Sequence, residues 1–101
     1  MIKHVETLDE FLKETKSGKV LVDFFATWCG PCKMLSPVLE QADKEGVLGC
    51  DVVKVDVDEL PEAAGQYGVQ AIPTLVLLVD GKEINRRLGY LNKNQLIDLT
   101  K

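Results

Sequence analysis

The spacing of apolar residues changes several times along the chain, and each change marks an element. Val20-Leu21-Val22-Asp23-Phe24-Phe25-Ala26 is apolar on both faces except at Asp23, as expected of a strand at the centre of a parallel sheet covered by helices. Leu8, Phe11 and Leu12 stand at i, i+3 and i+4, which predicts a helix from about Leu8 to Lys16. Thr7 with Glu10 three positions on has the form of a capping box, and Ser17-Gly18 stops the helix. Ahead of it, Ile2 to Val5 reads as a short strand.

Leu35, Val38, Leu39 and Ala42 form one stripe of a longer helix beginning at or just after Cys29, with a kink expected at Pro37. Gly46 and Gly49 bracket a loop, after which Val52 to Val57 alternates as a strand does. Leu60 to Tyr67 reads as a short helix, with Pro61 near its start and Gly68 just past its end. Thr74 to Val79, then Asp80-Gly81, then Lys82 to Leu88 is a hairpin with a two-residue turn, and Asn92 caps a last helix through Thr100. The order βαβαβαββα predicts an α/β fold, a central mixed five-stranded sheet flanked by four helices on both faces, with right-handed early crossovers.

The 101 residues fit a single domain, residues 1–101, with room for a core that needs no metal or structural disulfide. Apolar residues at 46% and charged residues at 28% are ordinary globular usage, which excludes a disordered or low-complexity chain. Lys plus Arg number 12 against 16 for Asp plus Glu, and the resulting net charge of −4 argues against a nucleic-acid partner. The first residues carry no apolar signal core, and no apolar run approaches the roughly 20 residues of a membrane span. Three cysteines make a poor disulfide framework, so a cytoplasmic, reducing location is expected.

The chemistry sits in Trp28-Cys29-Gly30-Pro31-Cys32, directly behind the apolar strand. If a helix starts here, positions i and i+3 fall on one face of its first turn, roughly 5–6 Å apart and within the span of a disulfide. Its unpaired N–H groups and positive dipole end favour a thiolate at Cys29, and Pro31 suits a first turn that needs no donor there. The expected roles are attack by Cys29 on a disulfide, then resolution of the mixed disulfide by Cys32. A zinc site would need four ligands, and only Cys50 and His4 remain, both remote in sequence, so no metal is expected.

Asp23, in a strand otherwise apolar, should carry a raised pKa and accept or relay the proton of Cys32; the alternative is an ordinary carboxylate at a frayed strand end. Lys54, one strand on, either shares that proton traffic or is the polar face of an alternating strand. Cys50 reads as a small buried hydrophobe in preference to a regulatory thiol. Lys33 either helps hold the thiolate or is a solvated helix residue, and His4 reads as a surface residue.

The chain as a whole resembles the thioredoxin family. The resemblance is carried by Asp23 to Met34, by Pro37, by Lys54, by the run Tyr67-Gly68-Val69-Gln70-Ala71-Ile72-Pro73-Thr74, and by Gly89. Phe25 stands where many members have a second tryptophan, Thr27 replaces a residue that is often charged or alanine, and Cys50 is an additional thiol. The resemblance implies a protein disulfide reductase without cofactor, re-reduced by an NADPH-dependent thioredoxin reductase, with disulfide-containing proteins as substrates. It implies catalytic Cys29, Cys32, Asp23 and Lys54 and an active-site loop of Trp28, Gly30 and Pro31. It also implies a substrate surface of Trp28, Ile72, Pro73 and Gly89, in which Ile72-Pro73 is the cis-proline loop beside the active disulfide. Gly-Pro between the cysteines favours the reducing branch over oxidases and isomerases, which usually carry a histidine there. A scaffold subunit or sensor using the same surface is the alternative. A monomer is expected, since no long unmatched apolar stripe remains.

Overall fold

The computed structural model describes residues 1–101. Its elements run in chain order β1 (Ile2–Val5), α1 (Leu8–Thr15), β2 (Lys19–Phe25), α2 (Gly30–Lys44), β3 (Asp51–Asp56), α3 (Pro61–Gln66), β4 (Thr74–Val79), β5 (Lys82–Leu88) and α4 (Lys93–Leu99). The strands form one five-stranded sheet in the order β1-β3-β2-β4-β5. β1 and β2 both run parallel to β3, while β2 with β4 and β4 with β5 are antiparallel, so the sheet is mixed as expected.

β2 is central, and its alternation builds both cores. Val20, Val22 and Phe24 pack with Phe11 of α1 and Ala63 and Ala64 of α3. Leu21 on the opposite face packs with Leu35, Leu39 and Ala42 of α2 and Leu96 and Leu99 of α4. Lys54 is in register with Asp23, Leu75 with Asp23 from the other side, and His4 with Lys54. Asp23 and Lys54 therefore share the α2/α4 face, where they replace core hydrophobes at the end of the strands nearest the dithiol.

The local chemistry explains the boundaries. Asp80 at φ 51° and Gly81 at φ 81° supply the two positive φ values that a tight two-residue hairpin turn requires. Asn92 caps α4 with a full capping box, its side chain accepting from Gln95 N–H while Gln95 accepts from Asn92 N–H. At α1 the box is altered: Thr7 Oγ1 accepts from Glu10 N–H at 3.1 Å, but the Glu10 carboxylate takes the N–H of Glu6, one residue earlier. The helix stripe also differs from the expected one. Leu12 is 44% exposed, and Thr15 is buried in its place, its hydroxyl donating to the Phe11 carbonyl at 2.7 Å. Spacing of i+3 and i+4 both satisfy an amphipathic pattern, and a helix only eight residues long buries one turn's width against the sheet. The strand Val20 to Ala26 begins one residue earlier and ends one earlier, and α2 runs past Ala42 to Lys44 through Pro37.

Candidate active site: a dithiol at a helix N-terminus

β2 ends at Phe25, and Ala26-Thr27-Trp28 carry the chain to α2. Cys29 is the N-cap, in extended conformation (φ −86°, ψ 116°), and two bonds tie it to the first turn. Its carbonyl accepts from Lys33 N–H at 3.1 Å, and its sulfur accepts from Cys32 N–H at 3.3 Å. The sulfur thus takes the place of the oxygen that Ser or Asp would present at an N-cap. A backbone donor and the positive end of a 15-residue helix both favour negative charge on that sulfur. Cys32 projects from the first turn, and the two are joined as a disulfide with Cα atoms 5.2 Å apart. Both are buried, at 5% and 6% exposure, so helix position rather than access distinguishes them.

Around the disulfide lies a small apolar group of Ala26, Cys29 and Cys32, with Phe25, Val57 and Ile72 against it. The Ile72–Pro73 peptide is cis, and the Ile72 carbonyl oxygen lies 3.8 Å from Cys29 Sγ. Pro73 is buried, and its carbonyl accepts from Gly89 N–H at 2.8 Å, which fixes the loop to the end of β5. Gly89, at φ +84°, occupies the left-handed region that favours glycine. Trp28 is 68% exposed, and its Nε1–H donates to Asp58 at 2.8 Å. With Val57, Ala64, Val69, Gln70, Ala71 and Ile72 it lines an open apolar groove of about 220 Å³ beside the sulfurs.

On the inner side, Asp23 is 2% exposed and its Oδ1 has no hydrogen-bond partner. Burial pushes its carboxyl up to about 6, and Lys54, 4.0 Å from Oδ2, holds it lower than burial alone would. The Lys54 ammonium itself donates to Ser36 Oγ at 3.0 Å and sits over the Phe25 ring at 4.9 Å. Cys32, Lys33, Ser36 and Lys54, with Phe25, Ala26 and Thr27, line a second cleft of about 220 Å³.

The ten residues that the resemblance makes catalytic or substrate-binding fall on one side of the fold: Trp28, Cys29, Gly30, Pro31, Cys32, Ile72, Pro73 and Gly89 at the disulfide and its loops, and Asp23 and Lys54 in register on the adjoining strands. The exposed Lys33 shares the inner cleft, whereas His4 lies at the surface with Nε2 3.6 Å from Glu59. Cys50 is half-buried rather than buried, packed against the α2/α4 core, and burial raises its thiol pKa. Two residues of the region escaped the sequence reading. Ser36 could have been found as the i+4 neighbour of Cys32; Asp58, thirty residues from Trp28, left no local trace. No group of three or more His, Cys, Asp or Glu side chains is placed to hold a metal ion, and no helix is long and apolar enough to cross a membrane.

A disulfide closed across one helical turn, with a backbone donor fixed on one sulfur, is a device for exchanging disulfides, and the fold that carries it is that of the thiol–disulfide oxidoreductases. The thioredoxin family profile matches residues 2–101. The chain is 50% identical to the thioredoxin of Bacillus subtilis over 93 residues, 92% of this chain and 89% of that one. It is 50% identical to the thioredoxin of Chlamydia trachomatis over 95 residues, 94% and 92% of the two chains. Among solved structures, a mutant thioredoxin from Halobacterium salinarum superposes with a TM-score of 0.89 at 39% identity, covering 98% of this chain and 87% of that one. The thioredoxin of Plasmodium falciparum gives 0.86 at 34% identity, covering 95% and 96%. The chain belongs to the thioredoxin family. It is a thiol–disulfide oxidoreductase, of a family whose members reduce protein disulfides and are themselves reduced by thioredoxin reductase.

Proposed function

We propose that residues 1–101 act as one monomeric, cytoplasmic electron-carrying domain in which Cys29 is the nucleophile, Cys32 the resolving thiol, and Asp23 with Lys54 the proton-handling pair. The Cys29 thiolate attacks one sulfur of a substrate disulfide; a bond forms between them, the substrate S–S bond breaks, and one substrate thiolate leaves. Cys32 passes its proton toward the Asp23 carboxylate and attacks the Cys29 sulfur. The Cys29–Cys32 bond forms, the mixed disulfide breaks, and the second substrate thiolate leaves. The substrate gains two electrons and this protein loses two, to be restored by an NADPH-dependent thioredoxin reductase. The observation that carries this assignment of roles is the bond from Cys32 N–H to Cys29 Sγ, which stabilises charge on the first sulfur only.

An extended segment on either side of the substrate disulfide is taken along Ile72, with Trp28, Pro73 and Gly89 beside it. In support, Ile72 enters none of the loop and turn backbone hydrogen bonds, so its backbone groups have no backbone partner that a substrate chain would have to displace. The test is NADPH consumption with thioredoxin reductase and insulin. Turnover should vanish with Cys29→Ser, while Cys32→Ser should accumulate the mixed disulfide, detectable by mass on a non-reducing gel. Insulin reduction that persists in Cys29→Ser would overturn the assignment, and a partner interaction that needs neither cysteine would point to the scaffold alternative.

A further inference from the structure

Lys54 stands between two acceptors and bonds to only one. Its ammonium is 3.0 Å from Ser36 Oγ and 4.0 Å from Asp23 Oδ2, although Asp23 is the charged partner and one of its oxygens is unpaired. A lysine left to itself beside a buried carboxylate closes to hydrogen-bond distance, since the charge-assisted bond is the stronger. Ser36 lies one helical turn beyond Cys32 on α2, and its hydroxyl reaches into the cleft that Cys32 and Lys54 line. The Phe25 ring, 4.9 Å from the ammonium, closes the third side.

We propose that Ser36 is a positioning residue: its hydroxyl accepts a hydrogen bond from the Lys54 ammonium and holds that charge at the wall of the cleft behind Cys32, out of hydrogen-bond contact with Asp23. A direct Lys54–Asp23 bond would hold the carboxylate in its charged form and weaken it as a proton acceptor. Separation to 4.0 Å keeps the favourable charge nearby without that bond, so the carboxyl stays raised to about 6. This consequence for catalysis rests on the proton-acceptor reading of Asp23. Lys54 is the charge that acts on Asp23. Of the other groups about it, β4 brings the uncharged Leu75 alongside, and α2 brings Cys32, Lys33 and Ser36 to the cleft. On β1, His4 is one strand further out, in register with Lys54; on β3, Asp56 is two residues along the same face, its Oδ1 held by the Asp58 N–H.

The experiment follows the Asp23 carboxyl carbon by NMR against pH in the oxidised full chain, alongside the pH profile of insulin reduction. Ser36→Ala should lower the Asp23 midpoint by about 0.5–1 pH unit as Lys54 turns to the carboxylate. Ser36→Thr, which keeps the hydroxyl, should restore it. In a Lys54→Met background Ser36→Ala should move nothing, which a purely structural role for the serine would not produce. A midpoint that stays or rises in Ser36→Ala, or that falls equally without Lys54, overturns the proposal. A midpoint that falls while the rate profile stays in place supports the role of Ser36 and overturns the reading of Asp23 as the proton acceptor.

Discussion

Asp23 shows most plainly what burying a single carboxyl does to stability. Its folded-state pKa of about 6 lies above the value of 3.8 for a free aspartate, so between these pH values the folded chain binds a proton that the unfolded chain has released. Stability contributed by the protonated form is therefore full below pH 4 and is lost as pH rises to 6, leaving a penalty of about 3 kcal/mol at neutral pH. Asp23→Asn removes the titration while keeping the shape. It should raise the urea midpoint at pH 8 by the equivalent of about 2–3 kcal/mol and make little difference at pH 4, while slowing release of substrate from the mixed disulfide. Equal gains at both pH values would mean that the carboxyl titrates alike in the folded and unfolded chains. Asp23 was legible in the sequence because a lone carboxyl in an apolar strand has few innocent explanations. Its relation to Lys54 was legible only as one of two readings, because whether two residues on different strands are opposite depends on register, and the register of β2 with β3 is set by the whole sheet.

At the level of elements, turn and cap chemistry made the boundaries readable to within a residue or two: Asp80-Gly81 admits one kind of hairpin, and Thr7 and Asn92 each present an oxygen just ahead of an apolar stripe. What the stripe could not reveal was its width. Leu8, Phe11 and Leu12 fit a helical face equally well, and the packing of α1 buries Phe11, 0% exposed with its ring near Phe24 and edge-on to Tyr67, while leaving Leu12 exposed. Phe11→Ala should consequently cost about 3–5 kcal/mol, whereas Leu12→Ala should stay within about 1 kcal/mol. Chemical denaturation of the two variants decides it, and similar losses would restore the stripe expected from the spacing. The cis Ile72–Pro73 bond belongs to the same scale. X–Pro bonds in folded proteins are cis in only about 5–6% of cases, so the resemblance to the family, not the dipeptide, foretold it.

For the whole molecule, the central fact is that β2, β3 and β4 each give alternate side chains to two cores on opposite faces of one sheet. Neither core can loosen alone, because the strands that line it hold the register of the other. The dithiol benefits from this arrangement. Cys29 and Cys32 begin the helix that follows β2, and Pro73 immediately precedes β4, the antiparallel neighbour of β2, so the 3.8 Å approach of Ile72 to Cys29 is fixed by two paired strands rather than by a free loop. Leu39→Ala on α2 and Leu78→Ala on β4 remove fully buried side chains from opposite cores. Each should cost about 2–5 kcal/mol, with an unchanged denaturant slope and with circular dichroism and the fluorescence of the single tryptophan moving together. Leu78 pairs with Val20, at the end of β2 away from the cysteines, so Leu78→Ala should leave insulin reduction at 25 °C unchanged while lowering the unfolding midpoint. Tryptophan fluorescence that changes ahead of the circular dichroism would mean that the active-site end can open by itself, and that the geometry around the disulfide owes less to the sheet than its position between β2 and β4 implies.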